Sequence, residues 1–232
     1  PVPRPAAKRK DSEEEEVEFT GSSAFFTFGS YRDANGAKRQ LKRRGLVCQT
    51  LSELYNEVAL PICKKFGVRF NFLAEYHCQE KKAGVTAKAP LILRKKAADG
   101  TEIVETRHLV TIRLMMRRRD DPDQLQPMGT LLGVLLHELA HLRHMNHGVN
   151  FAIFLNQIFG YATKIGVFRP GKHVSTIPSP WSWERAIFDR GGSIEEDELR
   201  AIFAADARSR PPPAPKPAGA EATEAAARGG EA

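Results

Sequence analysis

The stretch Met128-Gly129-Thr130-Leu131-Leu132-Gly133-Val134-Leu135-Leu136-His137-Glu138-Leu139-Ala140-His141 decides the reading of this chain. It is apolar nearly all round at helical period, which predicts a helix buried in a core. Asp120-Asp121-Pro122-Asp123 breaks the chain upstream, and Pro127 suits the first turn of that helix. Two histidines and a glutamate are costly to bury there without partners. At about 100° per residue, His137 and His141 lie about 40° apart and one turn apart, so both imidazoles reach one tetrahedral ion. Glu138 lies about 60° from His141, on the flank of that face. It can take a proton from a metal-activated water without being a ligand. Zn²⁺ is the ion this donor set predicts.

A third ligand is needed, and two histidines compete for the place. His144 shares the helical face but stands about 10 Å from position 137 along the axis, too far along a line to close a tetrahedron. His147 follows His137 by ten positions, beyond the predicted helix end. A left-handed turn at Asn146 and the freedom of Gly148 would bring it back to the ion. The expected set is therefore His137, His141 and His147 as metal ligands with Glu138 as the catalytic base, and His144 nearby or at the surface. His77, His108 and His173 are isolated and are read as non-ligands.

Outward from this helix the pattern mixes α and β. Residues 50–65 show helical spacing after a Thr50/Glu53 capping box, with Pro61 as a stop or kink. Residues 66–72 alternate as a half-buried strand, and Pro90–Arg94 reads as a second. A turn at Asp99-Gly100 leads to a third strand within Glu102–Met116, with Val110, Ile112 and Leu114 on one face. A helix follows over residues 150–163, and Ser193 with Glu196 caps a last short one. Trp181-Ser182-Trp183 reads as core packing before a partner contact.

The chain has 232 residues and a formal charge of +7. No apolar run is long enough for a spanning helix, and the basic, Pro-rich start lacks the apolar stretch of a secretory signal. Three cysteines without a Cys-x-x-Cys pair argue against a disulfide framework and for a reducing compartment. Residues 19–206 hold 27 basic against 19 acidic side chains. The excess clusters at Lys38–Arg44, Arg94–Lys96 and Arg117–Arg119, which suits a nucleic-acid partner or simply solvated loop and strand ends. Pro5-Ala6-Ala7-Lys8-Arg9-Lys10 reads as a short nuclear import signal, with a cytoplasmic location as the alternative.

Ile112-Arg113-Leu114, His137-Glu138-Leu139-Ala140-His141 and His147 followed by Phe151 resemble the WLM-domain metalloproteases. These are relatives of the SprT/Spartan proteases that degrade proteins crosslinked to DNA. The resemblance covers about residues 50–165, and Glu75 stands where that family carries a glutamate. It implies an α+β, zincin-like domain with a small mixed sheet and a buried His-Glu-x-x-His helix. It also implies a peptide-binding edge, expected on the strand ending at Met116. The expected organisation is a disordered tail over 1–18, the WLM-like domain over 19–190, a short helix over 191–207 and a disordered Pro/Ala-rich tail over 208–232.

Three functions fit these expectations. One is a zinc metallopeptidase acting on proteins bound or crosslinked to DNA. The others are a catalytically silent basic scaffold in a nucleic-acid assembly, and a zinc hydrolase of small substrates. An intact base at Glu138 favours the first, since a scaffold need not keep it.

Overall fold

In the computed structural model, residues 27–32, 37–78, 80–96, 102–173 and 181–209 are described. The expected N-terminal tail, the import-signal segment and the chain after 209 lie outside them. Strands β1 (Ser30–Arg32) and β2 (Lys38–Gln40) form a small antiparallel ribbon. Helices α1 (Arg44–Glu53) and α2 (Leu60–Phe66) run through a π-wound stretch, Leu54–Ala59, without interruption. Three strands then follow, β3 (Phe72–Glu75), β4 (Gly84–Lys96) and β5 (Glu102–Leu114). Helices α3 (Met128–Ala140), α4 (Val149–Lys164), α5 (Ser182–Asp189) and α6 (Glu196–Ser209) complete the α+β fold.

Helix α3 is central, as its apolar circumference requires. It packs against the sheet through β4 and β5 and against α4. Leu131, Leu132, Leu135, Leu136 and Leu139 are all buried, and they share one core with Ile112 and Leu114 of β5. Among the described residues no helix is long and apolar enough to cross a membrane.

Several elements depart from their expected bounds. The first helix starts at Arg44, after a left-handed Arg43, so Thr50 lies within it and its hydroxyl donates to the Leu46 carbonyl instead of capping. Pro61 does not end the helix. The wider π turn before it eases the clash that a proline ring makes with the carbonyl four residues back. The helix ends at Gly67, where φ is 63°, and the Val68 amide donates to Cys63. That cap consumes the residues expected to start a strand, so β3 begins only at Phe72. Ser193 does not cap α6; its hydroxyl donates to the Arg190 carbonyl. Leu199 of α6 joins the common core, and the helix runs to Ser209.

The sheet is mixed, with order β3-β5-β4. β5 lies in the middle, parallel to β3 and antiparallel to β4. The expected edge, the strand leading to Met116, is therefore interior, and β4 takes that place. A single sequence shows a strand's two faces through its alternation but not its neighbours.

Arg117 corrects another expectation. It belongs to no surface cluster, because its Nε donates to Glu75 at 2.7 Å and both side chains are almost fully buried. Its Nη1 donates to the carbonyls of Lys42 and Pro122, and the Phe28 amide donates to Glu75 Oε2. This ion pair ties β3, the segment after β5 and the N-terminal ribbon together. Replacing Glu75 with Ala leaves a buried guanidinium without its counter-charge and should lower stability by about 3–5 kcal/mol, read by urea denaturation.

Candidate metal centre

The face of α3 that is left uncovered carries the chemistry. Thr130, Gly133, Val134, His137, Glu138 and His141 line a cleft of about 1030 Å³. After α3 the chain tightens through main-chain bonds from Leu142, Arg143 and His144 back to Leu139 and Ala140. It then makes a three-residue turn closed by the Gly148 amide on the Asn146 carbonyl at 2.8 Å, with His147 at its centre. The return thus needs no left-handed residue at Asn146: among the described residues Arg43 alone, apart from glycines, has a positive φ, and Gly148 is extended.

This turn gathers three imidazoles. One nitrogen from each of His137, His141 and His147 lies within 4.8 Å of the others. His137 Nε2 and His147 Nε2 face each other at 2.9 Å. Two nitrogens bound to one tetrahedral zinc at 2.0–2.1 Å would stand about 3.3 Å apart, so a slight rotation of the exposed His147 ring would make room for an ion. The opposite nitrogens are already engaged. His141 Nδ1 lies 3.0 Å from the His144 carbonyl, and His137 Nδ1 lies 2.5 Å from Glu184 Oε1. Donation through Nδ1 leaves Nε2 as a lone pair, which is the form that binds a cation. Burial, helped by the neighbouring His137, pushes both His141 and His147 down to about 4, so they are uncharged at neutral pH. The donor set fits zinc.

His144 contributes a main-chain carbonyl to this centre, while its ring packs edge-on against Phe154. His77 packs on Phe28 and His173 on Phe168, away from the cleft.

Glu138 lies beside the three histidines with its carboxylate buried. Thr86 Oγ1 of β4 lies 2.8 Å from Glu138 Oε2 and 2.9 Å from the Glu138 carbonyl, so one hydroxyl proton serves two acceptors. Burial pushes the Glu138 carboxyl above the ordinary range, against the opposing pull of His137 and the Thr86 hydroxyl. Close approach of β4 depends on Gly84. A Cβ there would fall 2.5 Å from Val134 Cγ1 and 2.9 Å from Glu138 Oε1.

Two residues of the site escaped sequence reasoning. Trp181 packs over His147 with ring centroids 4.6 Å apart and lies nearly parallel to His137. Glu184 is buried behind His137. Both come from residues 181–184, more than 40 positions after α3, and no spacing rule connects them to it. Of the tryptophan pair, Trp183 alone is core, against Phe151 and Phe203.

A family model described as "WLM domain" matches residues 49–174. The chain belongs to the WLM-domain family. Two solved structures are similar over part of the chain, both of Wss1 from Saccharomyces cerevisiae. A mutant form is 19% identical with a TM-score of 0.38, covering 56% of this chain and 91% of that one. Another is 20% identical with a TM-score of 0.38, covering 53% and 83%. No curated protein sequence matches the chain. The WLM match takes in α3, β4, β5 and all three histidines, and it ends before Trp181 and α5.

The ligand assignment can be checked by metal analysis after dialysis. His147→Ala should lose most of its zinc, whereas His144→Ala should keep about one ion per chain, because the atom position 144 supplies is main-chain. The reverse pattern would make His144 the third ligand.

Proposed function

We propose that this WLM-domain protein is a zinc-dependent peptidase, acting on proteins bound or crosslinked to nucleic acid, DNA before RNA. The reading rests on one observation above the others: a buried, hydroxyl-tethered carboxylate beside three convergent imidazoles, in a cleft lined by β4, the outer strand of the described sheet.

Zinc held by His137, His141 and His147 would supply Lewis acidity toward a peptide carbonyl and acidify an adjacent water. The chain's own residues do the rest. Glu138 receives the proton of the attacking water and passes it to the leaving amine. Its raised affinity for a proton suits that double task, and Thr86 holds the carboxylate in one orientation.

β4 offers the peptide a backbone partner. The Met115 amide donates to the Ala83 carbonyl, so the 83/115 pair is hydrogen-bonded within the sheet. By antiparallel alternation, Gly84 and Thr86 turn their main-chain groups away from β5, toward the cleft side. An extended substrate can add there as a further strand, which reads backbone more than side chains and suits broad substrate choice. Selection would then come from location. Lys38, Arg39, Lys42, Arg43 and Arg44 are exposed on or beside the ribbon, and Lys81, Lys82 and Arg119 line the cleft. These cations support a polyanion contact, and the Pro5–Lys10 segment supports a nuclear location.

Cleavage of a protein held on DNA is the test, run beside zinc analysis. Glu138→Gln should keep zinc and fold, because the amide can still pair with Thr86. It should lose at least about a hundredfold in turnover. Gly84→Ala should also retain zinc and lose turnover, since its Cβ displaces Val134 or the Glu138 carboxylate. Affinity for DNA should fall steeply with salt. Full activity of Glu138→Gln would sink the mechanism, and salt-indifferent binding would remove nucleic acid from it.

A further inference from the structure

We infer that Glu184 is a positioning residue for the metal centre, holding His137 so that its Nε2 faces the ion; this rests on the zinc reading above. The side chain is almost fully buried, and its Oε1 lies 2.5 Å from His137 Nδ1. That nitrogen is the one a metal-binding histidine leaves free. With its proton on Nδ1 and shared with the carboxylate, His137 has its lone pair on Nε2. His147 Nε2 stands 2.9 Å from that lone-pair nitrogen. A carboxylate behind a ligand histidine fixes its tautomer and ring angle and raises its basicity.

The placement is rigid. Trp183, Ile187 and Phe188 of α5 are buried in the common core, so Glu184 is set by helix packing and not by a loop. Trp181, just before α5, packs over the His147 ring. Residues 181–184 thereby hold two of the three ligands from behind, and they lie outside the span that matches the family. Trp181 and Glu184 are thus part of the metal centre in this reading.

The experiment measures zinc affinity by chelator competition on the full chain, with thermal melting of the metal-free protein and ring ¹⁵N spectra of His137. Glu184→Met, close in volume but without an acceptor, should bind zinc about 10–100-fold more weakly. Glu184→Gln, which keeps an acceptor, should fall between it and wild type. Metal-free wild type should show the Nδ1-protonated tautomer at His137. Equal zinc affinity in folded Glu184→Met and wild type would overturn the inference and leave Glu184 a packing residue. Should that variant not fold, an Nε2-protonated His137 in wild type overturns it equally. A wild type that takes up no zinc defeats the metal reading instead, and the tautomer still decides whether Glu184 holds His137.

Discussion

Placing a carboxylate and two imidazoles on a helix that is otherwise apolar all round costs free energy unless each polar atom is met. The surroundings of α3 answer that demand group by group. Thr86 of β4 meets Glu138, Glu184 of α5 meets His137, and the His144 carbonyl meets His141. These partners come from a strand edge, a distant helix and the turn directly after α3. The three must be held around one helix at once, which makes sheet, turn and C-terminal helices a single body. Gly84 shows how tight the arrangement is, because even one methyl group between β4 and α3 would strike Val134 and the Glu138 carboxylate.

The buried pair of Arg117 and Glu75 plays a matching part outside the cleft. Breaking such a pair costs more than its presence contributes, so its value lies in fixing one arrangement of the segments it joins. It sets the path of the chain between β5 and α3, where Gln126 donates from its amide to the Met116 carbonyl before the helix begins. The arginine that composition placed in a basic cluster is thus an internal strut. Arg118 is paired with Asp120, and Arg119 donates to the Glu80 carbonyl. A run of like charges in sequence says nothing of how many remain available in space.

The legible part of the molecule was local. The α3 helix, its Pro127 start, the buried face of β5 and the three converging histidines all follow from period, spacing and residue type within short windows. What was illegible depends on pairing between distant residues. The alternation of β4 and β5 reveals faces but not which strand lies at the edge, so the edge expected at the strand leading to Met116 falls at β4 instead. The left-handed Arg43 and the π turn before Pro61 follow from packing, which overrode a capping box that was sound by itself. Trp181 and Glu184 carry no spacing signal toward His137. The nearest hint is a glutamate directly after a tryptophan pair, which as a pattern suggests only a buried polar group in need of a partner.

The asymmetry among the three histidines has a mechanical reading. His137 and His141 sit on a helix whose neighbours are core, and each has its second nitrogen tied down. His147 sits in a solvent-facing turn and is steadied mainly by ring contacts with Phe151 and Trp181. Two of the three imidazoles are therefore tied through a second nitrogen, and the third is held by ring packing. Under the zinc reading, the free energy of ion binding would add to the stability of the turn at 146–148 and of the α3–α4 junction that it forms. Trp181 packs on the His147 ring, so the residue just before α5 and the turn directly after α3 meet at the candidate site itself.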